Sequence, residues 1–245
     1  MTLWSDIEEI PGARTVDTPG YGKAVLLPVP KLSPSTHWMI GRYKDQTRLA
    51  TALRTAPSAQ AFLAKCHVRL GFRDTDVPPI DLERQESYGD TVKGKNAATD
   101  FSDQRVRELT APARPANAEM TNRISDRREN VRTFWESQTP QSHHVVEFNH
   151  LEGIGKSKPT GDRELDHAQL PCVLLAAEFH QRYVSSILKR THGWSRQQLL
   201  KNMPDTYFSI YIVGGRMEGT KGEEPLSPLW HVSRVILRAA GLPVT

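Results

Sequence analysis

The chain has 245 residues, 38% of them hydrophobic, with a formal net charge of +4, a pI of about 9.1 and a mean hydropathy of −0.52. That length holds one large domain or two small ones, and the polar balance leaves room for loose segments beside a folded part. The charge permits a polyanionic partner without selecting one, two cysteines (Cys66 and Cys172) argue against a disulfide framework, and no apolar stretch reaches the roughly 20 residues that span a bilayer.

Met1 to Gly12 is acidic and lacks a basic stretch followed by an apolar one, so a standard secretory signal is not expected. Turn residues from Pro11 to Pro34 punctuate the next segment, where only Ala24–Val29 reads as a strand. From Asp45 to Leu70 the pattern becomes helical, anchored by Leu49, Leu53, Phe62, Leu63 and Cys66 and divided in two by Pro57. Residues 1–72 therefore read as a small helical or irregular region. Residues 73–117 read as a linker, because prolines, glycines and charge crowd out large apolar side chains. A third region, 118–245, should hold the chemistry.

Within that region, Ile124 to Glu136 predicts a helix ended by Pro140, and His143 to Phe148 predicts a short strand. A polar, glycine-containing loop follows from Asn149 to Arg163. The run Leu170–Leu175 reads as core, and Ala176–Arg190 as a helix with Val184, Ile187 and Leu188 on its apolar face. Arg196–Asn202, the apolar Tyr207–Val213 and the amphipathic Leu229–Ala240 complete the chain. The expected class is α+β, mostly helical.

Five of the nine histidines lie between 143 and 180: His143, His144, His150, His167 and His180. Imidazole is the commonest metal ligand and suits general-base work near neutrality. Phosphodiester hydrolysis needs both roles, a base for water and a cation for the phosphate charge. His143 and His144 are neighbours in a strand, so they point to opposite faces and should do different jobs. One binds metal and the other addresses water. Glu147 and Glu178 read as solvated, and His150 as structural. Gly153-Ile154-Gly155-Lys156 lacks the spacing of a phosphate-binding P-loop. Lys156, Lys158, Arg163 and Arg182 are candidates for contact with a nucleic-acid backbone.

Gln141-Ser142-His143-His144-Val145-Val146-Glu147-Phe148, the downstream Asp166-His167 and His180, 36 residues after His144, resemble the HNH/endonuclease VII superfamily. The match lies in its toxin branch, named for a Ser-His-His signature, and covers roughly residues 125–215. The resemblance implies a ββα-metal nuclease core beside the helical or irregular N-terminal region. It implies that His144 is the general base and that His143 and His180 are metal ligands. His167, or Asp166 beside it, would take the motif's middle position, either orienting His144 or completing the metal shell. Several relatives carry two histidines four apart on the helix, whereas here the positions flanking His180 are Ala176 and Val184. The thinner shell favours Mg²⁺ or Mn²⁺ over a closed Zn²⁺ site.

The implied function is a metal-dependent endonuclease acting on DNA, an antibacterial effector carried by a specialised secretion system into a target-cell cytoplasm and neutralised by a cognate immunity protein. The competing readings are a non-catalytic nucleic-acid-binding module with a structural metal, and an interaction protein that docks on a secretion apparatus. A closed structural site would want four protein ligands, which speaks against the former.

Overall fold

A computed structural model describes residues 2–30, 36–70, 140–176, 180–185, 188–213 and 226–244. The linker expected at 73–117 and the helix expected at 124–136 lie outside the described residues, as does the Arg182 side chain.

The fold is α+β, built on one five-stranded antiparallel sheet. In chain order it runs α1 (Leu3–Glu8), β1 (Arg14–Asp17), β2 (Lys23–Pro28), β3 (His37–Arg42), α2 (Tyr43–Ala52) and α3 (Pro57–Lys65). It continues with β4 (Pro140–His144), α4 (Phe148–Gly153), β5 (Pro171–Ala176), α5 (Arg196–Phe208) and α6 (Ser227–Ala239). A π-helical turn, His180–Ser185, and a 3₁₀ turn, Lys189–Thr191, lie between β5 and α5, and a second π-helical turn, Ser209–Val213, follows α5.

The strand order is β1-β2-β3-β5-β4, which joins the two ends of the sequence. β3 pairs with β5, with Gly41 opposite Cys172, and β5 pairs with β4, with Val173 opposite His143. β5 is buried along its whole length, the behaviour expected of a continuous apolar run between two strands. β4 is the edge strand and carries the two adjacent histidines.

These pairings correct the expected boundary between a helical or irregular region over 1–72 and a separate domain over 118–245. The first region contributes three strands, and those strands share one sheet with the later two. Its helices are tied in as well. The Thr47 hydroxyl on α2 meets the Ser142 hydroxyl on β4 at 2.7 Å, and the Tyr43 amide donates to the Leu170 carbonyl at 2.9 Å. The Leu3 amide, at the start of α1, donates to the Glu164 carboxylate at 2.8 Å.

Local signals explain several boundaries. Pro57 opens α3, where its missing N–H has no helical partner to lose. Ser195 caps α5 and exchanges hydrogen bonds with Gln198, the reciprocal Ser-x-x-Gln box. Gly153 ends α4 against α5, where a Cβ would approach a Leu199 methyl to 2.6 Å. The Ala176–Arg190 helix takes a different form: the strand runs on to Ala176, and the described residues beyond it begin at His180 in π-helical geometry.

Candidate metal centre and the adjoining cavity

β4 delivers His143 and His144 to opposite faces, as the strand period requires. After His144 the chain leaves the strand, and Glu147 becomes the residue before α4. The turn that follows β5 brings in His180. Among the described residues, His143, Glu147 and His180 form a group that could hold a metal ion, with one ligand atom from each lying within 4.8 Å of the others. The His143 and His180 rings are 4.7 Å apart.

Hydrogen bonds behind the two rings define which nitrogen is free. The Tyr211 hydroxyl donates its single proton to the Val145 carbonyl at 2.6 Å. Towards His143 Nε2, 3.4 Å away, it therefore offers only a lone pair, so the ring proton belongs at Nε2. Nδ1 keeps its lone pair and faces Glu147 Oε1 across 3.6 Å. On His180, Nδ1 lies 2.9 Å from the Gln141 amide oxygen, which can only accept. Nε2 is left with the lone pair. Each imidazole thus donates away from the group, the arrangement that orients metal-ligating histidines.

Electrostatics agree with that reading. Burial holds the His143 pKa well below the ordinary histidine range, helped by His180 and His144. Burial also lowers His180 and raises Glu147 to about 7. Two neutral imidazole lone pairs and a carboxyl group reluctant to ionise lack a positive charge among them. A divalent cation would supply it and reverse the cost of ionising Glu147. The donor set therefore fits a metal ion, and its mixed nitrogen and oxygen character suits several first-row ions.

The other face of β4 is different. His144 stacks on Tyr43 with ring centroids 4.3 Å apart, and His167 leans on it at 4.9 Å. Phe148 closes the cluster, edge-on to His167 at 4.9 Å. His144 Nε2 donates to the His167 backbone carbonyl at 3.4 Å, leaving Nδ1 as the acceptor. Burial is the main cause that pulls its pKa down to about 4, with the His167 carbonyl pulling the other way.

Asp166 is not part of the metal-binding group. Its carboxylate takes bonds from the Arg163 guanidinium at 2.9 Å and from the backbone amides of Lys158 at 3.0 Å and Arg163 at 3.2 Å. The hydrogen bond from Arg163 is the leading cause that lowers its pKa. Asp166 is 1% exposed and organises the loop before β5. Gly161 has a φ of +141°, and a Cβ there would strike the Asp166 carboxylate, so the loop needs glycine at that point. Arg163 is committed to Asp166, while Lys156 and Lys158 are exposed on the same loop.

His150 has a structural role that its hydrogen bonds spell out. The Glu147 amide donates to the Tyr207 hydroxyl at 2.7 Å, and that hydroxyl meets His150 Nδ1 at 2.8 Å. His150 Nε2 meets Thr191 Oγ1 at 2.8 Å, and Thr191 donates to the Leu188 carbonyl at 2.6 Å. The bonds run in one direction, so every buried polar atom along them is satisfied. They also anchor the backbone of Glu147.

A cavity of about 540 Å³ opens beside the group. Glu147 and His180 of the group line it, and so do Lys189, His192 and Trp194. Glu147 retains 28% of its side-chain exposure. Glu147, expected from the sequence to be solvated, instead joins the group, and nothing in the sequence marks Tyr43, Tyr211 or Trp194 for the site. Of them, only Glu147, four residues after His143, carries a spacing that could have drawn attention. No match to a protein-family model, a curated protein or a solved structure is found for this chain. No helix among the described residues is long and apolar enough to cross a membrane.

Proposed function

We propose that the protein is a metal-dependent endonuclease that hydrolyses DNA, with His143, Glu147 and His180 as ligands and His144 as general base. The observation that carries this reading is the three-donor group, two of whose members line a cavity, with a third imidazole, that of His144, on the other face of the same strand. A divalent ion at such a group supplies neutralisation of charge on a phosphodiester and on its leaving oxygen. The base role of His144 rests on the Ser-His-His resemblance: its ring lies on the other face of β4 from the three donors, and the lone pair at Nδ1, opposite the bonded Nε2, would take the proton of the attacking water. The His167 carbonyl fixes the tautomer, and Tyr43 fixes the plane of the ring. His167 thus acts through its backbone and its packing, as a positioning residue.

The antiparallel pair of β4 and β5, followed by the helical turn that carries His180, supports a ββα-metal core, with α4 inserted between the two strands. Three protein donors leave coordination positions for substrate, whereas a structural site is usually closed by four. That difference favours catalysis over the non-catalytic metal-bearing module. Mg²⁺ and Mn²⁺ are the proposed ions, with Zn²⁺ next. The Ser-His-His resemblance extends the proposal to a secreted antibacterial effector with an immunity protein.

Plasmid nicking by the full chain tests the reading. Nicking should require added Mg²⁺ or Mn²⁺, stop with EDTA, and be lost in His144→Ala. Nicking that survives both EDTA and His144→Ala would overturn it. Expression of the unmutated chain in a bacterial cytoplasm should cause DNA loss, and His144→Ala should be tolerated.

A further inference from the structure

The cavity beside the metal group has the wrong size and lining for a paired helix. At about 540 Å³ it falls in the range of small-ligand pockets, roughly 300–1,000 Å³. A base inside a duplex is stacked and paired, and a pocket of this size takes it up only after it leaves the stack. The walls suit an unpaired unit. Trp194 is half-buried and packs partly on the core, so its indole is held in place while still lining the cavity. Lys189 and His192 are exposed beside it. The acidic group that lines the cavity, Glu147, is at the metal end.

Trp194 also lines a second cavity of about 300 Å³, together with Arg190, Asn202, Asp205 and Thr206. The indole therefore stands between two cavities, each bordered by a cation of the Lys189–Thr191 turn. An aromatic platform beside cations is how single strands are held without sequence readout: bases stack on the ring, and phosphates meet the charges. Lys156 and Lys158, the cations expected from the sequence to track a backbone, line neither of these cavities.

We infer that the cavity is a binding site for an unpaired nucleotide next to the cleaved phosphate, and that the preferred substrate is single-stranded nucleic acid. A base stacks on Trp194, and Lys189 and Arg190 meet the flanking phosphates. The inference deepens the nuclease reading and rests on it for the identity of the cleaved bond, but the binding it describes needs no metal.

Fluorescence anisotropy in EDTA, with a short labelled oligothymidylate and a duplex of the same length, tests it on the full chain. The single strand should bind about tenfold or more tighter than the duplex, and Trp194→Ala should weaken it about fivefold or more, the scale of one lost stack. Trp194→Phe should restore most of the loss. Lys189→Ala, on an exposed turn, should lower the salt dependence by about one counterion. Equal binding of single strand and duplex, or single-strand binding unmoved by Trp194→Ala and Lys189→Ala, overturns the inference. So does the absence of binding to either. Metal-dependent nicking alongside any of those results leaves the nuclease reading intact. Trp194-dependent single-strand binding without metal-dependent nicking keeps the cavity and removes the nuclease.

Discussion

Two faces of one strand carry the same residue type in two different settings. His143, 2% exposed, faces a carboxyl group and a second imidazole, with its proton drawn to the back by Tyr211. His144, 8% exposed, is clasped by Tyr43, His167 and Phe148. Both rings are buried and neutral, yet only His143 belongs to a group of donors. His144 instead has one hydrogen bond and three aromatic neighbours. Chemistry is assigned to each by what surrounds it, and the strand's alternation is what gives adjacent residues separate surroundings.

The two settings also draw on different parts of the chain. The donors on the His143 side all come from residues after 140, whereas the His144 side needs Tyr43 from the first residue of α2. The largest expected effect follows. A fragment of residues 118–245 would lose β3, the partner of β5, and the Tyr43 ring. It would expose the buried length of β5 and leave one edge of that strand unpaired. The fragment should show no cooperative thermal unfolding and no nicking, measured by circular dichroism and plasmid assay. A fragment that unfolds cooperatively and nicks DNA would show that the His144 side can do without Tyr43.

Under the proposed mechanism, His144→Ala removes the base and leaves the three donors in place. Loss of a general base costs on the order of 10²–10⁴ in rate, while Mn²⁺ affinity by isothermal titration should stay within error. A parallel loss of affinity would erase the distinction between the two faces.

The expected loss is smaller for Gln141→Ala, which removes the acceptor that orients His180. Changes to groups behind a ligand typically cost about 10–100-fold in metal affinity. Tyr211→Phe should behave alike, because its oxygen receives the His143 proton. Titration with Mn²⁺ reads both, and unchanged affinity in both would show that the tautomers are set some other way.

Much of this was legible in the sequence, and what was missed has separate physical causes. The apolar run at 170–175 announces a buried strand, Pro57 announces a break between helices, and period two separates His143 from His144. β3 was missed because its apolar residues, Trp38, Met39 and Ile40, sit in a short segment just after a proline-rich stretch. Its partner β5 lies some 130 residues further along the chain. No local pattern reports such a pairing. From the sequence, Glu147 reads as a solvated carboxylate, like Glu178. The strand in fact stops at His144, and the turn into α4 carries Glu147 back towards His143. Asp166 failed in the opposite way. It has a ligand's chemistry, but Arg163, three residues earlier, claims it.

The last prediction concerns pH, and it separates the carboxyl group from the imidazoles within one face. Burial raises Glu147 to about 7, so in the folded, metal-free protein it holds its proton between its ordinary value of 4.5 and neutrality. Its contribution to stability is full below pH 4.5 and fades as pH rises through 7. Burial lowers His143, His144, His150 and His180, and their contributions are full above about pH 6.5 and fade on acidification towards 4. The histidines outnumber the carboxyl group, so metal-free protein should lose stability as pH falls from 6.5 to 4, measured by urea unfolding. Metal binding should follow the other sign. Burial favours the neutral form of both imidazoles, so the proton to be displaced is the one on Glu147. Mn²⁺ affinity should therefore rise about tenfold per pH unit up to about pH 7 and flatten above it. Glu147→Gln should bind more weakly and lose that slope. A slope that persists in Glu147→Gln would place the displaced proton on an imidazole, and His143 and His180 would then be charged in the metal-free protein.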